Sequence, residues 1–235
     1  MKTLSIDSSN LVMGVAINDD DRVLGEIITN VKKNHSIRLM PAIQQLMDDV
    51  GVSSLDLDRI AVAQGPGSYT GVRIGVSIAK SLAWSLNIDL VGVSSLEILA
   101  QNGRYFDGYI VPFFDARRGQ VYTGMYQFKD GQVIPVLDDR IVLMEQWLEQ
   151  IKEHREHVLF LSNDMEKHGS AITAALGEQT EYADISINNP RPAELGRLGM
   201  LKSPVNDIHT FAPAYIQMAE AEAKWLEAQR ISEHE

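Results

Sequence analysis

Apolar positions near the start of the chain come in short blocks parted by polar turns. They predict strands over 3–6, 11–17 and 23–28, with Asp7-Ser8-Ser9-Asn10 and an acidic hairpin turn at 18–21 between them. From His35 the period lengthens. Ile37, Met40, Ile43, Leu46, Met47 and Val50 recur at spacings of three and four, one face of a helix that Gly51 ends. A buried strand follows over 60–63, then a helix over 71–86, a strand over 89–93 and a short helix over 95–102 capped by Ser94. After the breaks at Asn102-Gly103 and Asp107-Gly108 the order repeats. Strands are predicted over 109–114, 120–127 and 133–136, then a helix over 143–154, a strand over 158–161, a helix over 165–176, a strand over 180–183 and a helix over 192–200. The chain closes on a polar-faced helix predicted over 218–229. Two runs of β-β-β-α-β-α-β-α predict an α/β protein of two lobes, each a mixed sheet with crossover helices. The expected division is 1–103 for the first lobe and 104–217 for the second, with 218–229 packing back on the first. This is the outline of the actin-like/Hsp70-like ATPase (ASKHA) fold.

The stretch AVAQGPGSYTGVRIGVSIAKSLAWSL, residues 61–86, carries two features that ask for a partner. Gly65-Pro66-Gly67 joins a strand to a helix start, a geometry that aims backbone N–H groups and the positive helix end at an anion. Asp7, Ser8 and Ser9 stand where a first phosphate loop would lie, so the candidate anion contacts are Asp7, Ser8, Ser9, Gly65, Gly67 and Ser68. The bland readings are a polar turn at 7–10 and a structural turn at 65–68. No Walker lysine follows the glycines, and the first loop has serines where a phosphate loop wants glycine. The second feature is a stripe of small residues, Gly71, Gly75, Ala79 and Ala83, at successive i+4 positions. It predicts the close approach of another helix. Ile74, Ile78 and Leu82 form a second apolar row, so this helix is apolar on nearly every side and needs more cover than one sheet provides.

Composition narrows the function classes. The chain has 235 residues, 45% of them hydrophobic and 23% charged, the balance of a soluble globular protein. A net charge of −11 argues against direct binding to tRNA or another nucleic acid backbone. There is no cysteine, hence no disulfide, thiolate metal site or cysteine nucleophile. MKTLSIDSSN reads as a strand and not a signal peptide, and no apolar run approaches the ~20 residues of a membrane helix. A cytoplasmic location is expected.

The segments LSIDSSN, HSIRLMP, GPGSYTGVRIGVSIAKSLA, DARRGQVY and PAYIQMAEAE together resemble the TsaB family, most densely over 7–100. The resemblance implies a non-catalytic scaffold for formation of N6-threonylcarbamoyladenosine in tRNA. Such a subunit binds and activates the catalytic paralogue TsaD, together with the ATPase TsaE. TsaD-like chains carry a His pair at i and i+4 just after the matching strand, in a context like GVNHxEGH, and two such histidines can grip one metal. Here the aligned run is Gly92-Val93-Ser94-Ser95-Leu96-Glu97-Ile98-Leu99, with Ser95 and Leu99 in the two places. No catalytic residue, metal or cofactor is therefore expected. The resemblance also implies a four-helix interface, two helices from each subunit, with TsaD as partner and a homodimer in isolation. Its candidate residues are His35, Arg38, Leu39, Ile43, Gly71, Arg73, Ile74, Gly75, Ile78, Ala79 and Leu82.

Several candidates keep two readings. His35 is either a partner contact or a polar residue at a helix start, and Leu39 at i+4 gives it no metal-binding companion. Asp115-Ala116-Arg117-Arg118-Gly119 either holds a phosphate or carboxylate through its arginines or is a turn with an internal ion pair. The alternatives from other classes are a kinase or ATPase of the same superfold and a metallopeptidase. The incomplete first loop weighs against one, and Ser95 and Leu99 against the other.

Overall fold

The computed structural model describes residues 1–32 and 34–216. Strands β1 (Lys2–Asp7), β2 (Val12–Asp19) and β3 (Arg22–Asn30) form an antiparallel meander. Helix α1 (His35–Val50) crosses to β4 (Arg59–Ala63), which pairs parallel to β1. Helix α2 (Tyr69–Leu86) crosses again to β5 (Asp89–Val93), parallel to β4. The sheet order is β3-β2-β1-β4-β5. The second half repeats the plan with β6 (Tyr109–Arg117), β7 (Gln120–Lys129), β8 (Gln132–Leu143), α4 (Met144–Lys152), β9 (Val158–Leu161), α5 (Met165–Leu176) and β10 (Thr180–Tyr182). Its order is β10-β9-β6-β7-β8, with β9 parallel to β6 and to β10. The structure thus has the two-lobe α/β architecture, with mixed sheets and crossover helices, that the repeated element order predicts.

Each sheet is covered on both faces. One face of the first sheet packs α1 and α2 over Leu4, Ile6, Val15, Ile60 and Val62. α6 (Pro192–Leu201) covers the other face, with Leu195 and Leu198 against Ala61, Ala63, Val91 and Val93. In the second lobe α4 and α5 close over Phe113, Trp147, Phe160 and Ile172. The short helix α3 (Ser95–Ala100) covers the opposite face, where Leu96 and Leu99 meet Ile110, Phe114 and Tyr126. Each such large side chain contributes roughly 1.5–3 kcal/mol by leaving water. α3 and α6 touch, so the joint between the lobes is itself packed.

Three expectations need correction. First, α6 belongs with the first sheet, not with a second lobe running over 104–217. The Asn18 amide donates to Ala193 O at 3.2 Å, and Arg59 reaches Gly199 O at 2.9 Å and Lys202 O at 3.2 Å, satisfying carbonyls at the helix end. Sequence order does not reveal that the chain recrosses the joint. Second, the strand expected over 133–136 runs the whole of β8. It is an edge strand that tolerates Pro135 and carries a polar run through Asp138-Asp139-Arg140. Third, α1 is rotated. Leu39, Ile43, Leu46 and Met47 point into the core, while Ile37 is 71% exposed and Met40 43% exposed. The helix expected over 218–229 lies outside the described residues.

Candidate functional site

The turn between β4 and α2 is closed around the first loop of the chain. Ser68 caps α2, its Oγ accepting from Gly71 N at 3.3 Å, and its own N–H donates to Ser9 O at 2.6 Å. Ser8 Oγ donates to Gly71 O at 2.9 Å. The glycines make room for this approach. A Cβ on Gly67 would stand 2.1 Å from Ser9 O, and one on Gly71 2.2 Å from Ser8 O. On Gly75 it would meet Ser8 Oγ at 2.6 Å. The small stripe is therefore occupied by the protein's own β1–β2 loop, and Ala79 and Ala83 continue it into the core.

The same geometry engages Asp7, Ser8, Ser9 and Gly65 internally, while Gly67 and Ser68 stay on the lining of a polar cleft. Asp7, Ser8 and Ser9 are buried. Asp7 Oδ1 accepts from Ser9 N at 2.9 Å and from Ser9 Oγ at 2.7 Å. Burial pushes the Asp7 carboxyl above the usual carboxylate range, against the pull of the Ser9 hydrogen bonds and the nearby His35. Gly65 N–H donates to Ser95 Oγ at 3.2 Å, and Ser95 N–H to Gly65 O at 3.0 Å. At the place where the catalytic paralogue's pattern puts a histidine, this chain has a buried serine fastened to the glycine turn. Leu99 is buried among apolar side chains. Among the described residues no group of three or more His, Asp or Glu side chains could hold a metal ion.

The outer face of α2 has a different character. With Ser36 of α1 it lines a shallow groove of about 480 Å³ formed by Tyr69, Thr70, Arg73, Ile74, Ser77 and Ile78. Arg73 lies 5.1 Å over the Tyr69 ring and donates to its hydroxyl at 2.7 Å. The Tyr215 ring sits 5.3 Å from the Tyr69 ring, tilted 30° to it. Outward from Ser36, by helical spacing, α1 presents Met40 and Ile37. Exposed apolar side chains of α1 thus lie beside a groove on α2 that carries the Arg73 cation and polar hydroxyls.

The predicted interface residues divide accordingly. Arg73 is exposed, and Ile74, Ile78 and Leu82 are half-buried on α2. His35 is half-buried, with Nε2 2.8 Å from Asn10 O, and Arg38 donates to Thr29 Oγ1 at 2.8 Å. Leu39, Ile43, Gly71, Gly75 and Ala79 are buried within this chain. Ile37, Met40, Tyr69 and Ser77, which are not among the predicted residues, are exposed. The sequence placed the first two on one apolar face with Ile43, Leu46 and Met47, and the structure parts them from it.

The DARRG corner also resolves. Asp115 accepts from Lys167 at 2.8 Å and lies 3.0 Å from His168 Nε2, while Lys167 also reaches Asp164 at 2.9 Å. Burial raises the Asp115 carboxyl, but the hydrogen bonds from Lys167 and His168 prevail and hold it below its usual range. The acid of the motif is thus an internal anchor. Arg117 and Arg118 follow in left-handed backbone, φ 68° and 54°, and Arg117 lines a polar cleft between the lobes.

Comparison with known proteins shows what the chain is similar to. The family model described as TsaD, tRNA N6-adenosine threonylcarbamoyltransferase, matches residues 22–225. The tRNA threonylcarbamoyladenosine biosynthesis protein TsaB of Bacillus subtilis (strain 168) is 51% identical over 230 residues, 98% of this chain and 100% of that one. The protein of the same description from Escherichia coli (strain K12) is 35% identical over 129 residues, 54% of this chain and 55% of that one. Among solved structures, an uncharacterized protein with similarity to peptidase YEAZ from Pseudomonas aeruginosa superposes with a TM-score of 0.78 at 24% identity, covering 92% of this chain and 99% of that one. An inorganic polyphosphate/ATP-glucomannokinase from Arthrobacter sp. strain KM gives 0.53 at 10% identity, over 85% and 98%. These two likenesses concern the fold.

Proposed function

Because the chain belongs to the TsaB family, we propose that it is the non-catalytic accessory subunit of tRNA N6-threonylcarbamoyladenosine formation and docks TsaD on the outer face of α1 and α2. The observation that carries the docking site is the apolar face of Ile37, Met40, Ile74 and Ile78 around the Tyr69–Arg73 pair. Helices of 16 and 18 residues are about 24–27 Å long, enough to offer the roughly 800 Å² per partner of a stable interface. Aromatic residues and arginine are the types that dominate binding energy at such faces.

The accessory role follows from what the site holds. Ser95 ties down the glycine turn and Leu99 is buried among apolar side chains, so neither grips a metal for the transfer of the threonylcarbamoyl group. The chain's contribution is to favour the competent conformation of TsaD, which requires that it bind that conformation more tightly than the others. TsaE joins the assembly in this reading, and tRNA is contacted by the partners. In isolation the same face pairs with a second copy about a two-fold axis. We assign the two sheets to the actin-like/Hsp70-like superfold on their shared order and on the likeness to the glucomannokinase fold. A kinase reading gains little from that likeness, because Ser8 and Ser9 of the first loop pack directly against Gly67 and Gly71. No helix among the described residues is long and apolar enough to cross a membrane, and the cytoplasm is the proposed compartment.

The test is reconstitution of the modification with TsaD, TsaE, threonylcarbamoyl-adenylate and tRNA, with and without this chain. Product should depend on its presence. Equal product in its absence overturns the accessory role, and ATP turnover by the chain alone favours the kinase.

A further inference from the structure

The connection between β5 and α3 reaches into both lobes through two adjacent serines. Ser94 caps α3, its Oγ accepting from Leu96 N and Glu97 N at 3.2 Å each. The same hydroxyl donates to the carboxyl of Asp139, on β8 of the second sheet. The other oxygen of Asp139 accepts from the Tyr126 hydroxyl on β7. Ser95 is fully buried and turned the opposite way, bonded through both its N–H and its Oγ to Gly65. Gly65 has a φ of 103°, which a side chain would strain, and it opens the turn that ends at the Ser68 cap of α2.

Asp139 therefore holds one residue of a dipeptide whose other residue holds the entrance to the docking face. The helix that follows transmits the connection as a rigid body. Leu96 and Leu99 pack into the second lobe, while Ile98 packs with α6 and the first sheet. The carboxyl is bonded by two hydroxyls. The Lys202 ammonium is committed to Glu97 at 2.8 Å. Burial raises the Asp139 carboxyl, the Ser94 and Tyr126 bonds lower it, and the charges of Glu97 and Asp138 raise it again. A half-buried carboxyl held by hydroxyls, with no cation paired to it among the described residues, is a costlier way to join two lobes than an apolar pair. What it adds is direction, since two hydroxyls of fixed geometry converge on it.

We propose that Ser94-Ser95 is a two-way staple and that Asp139 is a positioning residue for the docking face, setting the first turn of α2 from the second lobe. This rests on the reading that α1 and α2 bind TsaD. The test pairs two readouts on the full chain: hydrogen exchange over 65–72 in the protein alone, and calorimetric titration with TsaD. The variants are Asp139→Ala, Tyr126→Phe, Ser95→Ala and the double Asp139→Ala/Ser95→Ala, with Asp139→Asn as a shape-conserving control for folding. Asp139→Ala and Ser95→Ala should each speed exchange at 65–72 and weaken association about three- to thirty-fold. The double variant should lose less than the product of the two. Faster exchange confined to 120–143, or wild-type affinity in a folded Asp139→Ala protein, overturns the staple. If the wild-type chain itself fails to bind TsaD, the docking reading falls, and the exchange arm still decides the coupling.

Discussion

Asp7 and Asp115 are two carboxyls whose environments pull them in opposite directions, and each makes a prediction. Asp7 is raised, first by burial and against its Ser9 bonds. In the window from the ordinary value of about 3.9 up to its raised value, the folded state holds a proton that the unfolded state has lost. Any stability from this group is thus present at low pH and lost as pH rises. Both Ser9 bonds end on Oδ1, an atom that asparagine retains. Asp7→Asn should therefore raise Tm at pH 7.5 by about 2–4 °C, with a gain that shrinks as pH falls toward 4. Melting curves across that range check it, and a lower Tm for the variant would show that the charge is needed. Asp115 is lowered on balance, because Lys167 and His168 outweigh its burial. Its stabilisation is present above about pH 3.9 and lost as pH falls through its depressed value. Asp115→Asn should lower Tm at pH 7 and flatten the acid limb of the stability curve. An unchanged acid limb would place the anchor elsewhere.

At the scale of elements, α2 has two apolar rows that do unlike work. Gly71 and Gly75 receive the β1–β2 loop, while Ile74 and Ile78 are half-buried at the edge of the core and line the outer groove. Gly71→Ala brings a Cβ within 2.2 Å of a backbone oxygen and should destabilise the fold by about 1–3 kcal/mol, seen as a Tm loss even without a partner. Ile78→Glu should leave Tm within about 2 °C and abolish association with TsaD. If gel filtration shows the Ile78→Glu complex intact, the outer row is not the docking surface. The periods of α1 and α2 were legible in the sequence, and so were both sheets and the crossovers. The phases were not. Two rows at three- and four-residue spacing share each helix, and only the packed sheet decides that Leu39 goes in and Ile37 out. The small stripe was legible as a demand for close approach, but a loop meets that demand as well as a helix does. β8 was cut short because Asp138-Asp139-Arg140 reads as polar loop on an edge strand.

For the whole molecule, the repeated sheet order explains why the halves look alike without repeating in sequence. The joint explains why they are not independent. α3 serves the second sheet and α6 the first, each on the inner face, and the chain crosses between lobes to place them. The GPG turn, which offers both a phosphate-cradle and a structural-turn reading in the sequence, is the point where the joint, the first loop and α2 meet. The absence of a His pair at Ser95 and Leu99 was visible in the sequence. That Ser95 grips the turn was not, because the grip depends on strands β4 and β5 lying side by side. The most direct measurement is the yield of threonylcarbamoylated tRNA from TsaD, TsaE and threonylcarbamoyl-adenylate, titrated with wild-type chain and with a folded Ile74→Glu/Ile78→Glu variant. Product should rise to saturation with the wild type and stay at the background level with the variant. Wild-type yield from the variant would contradict the account.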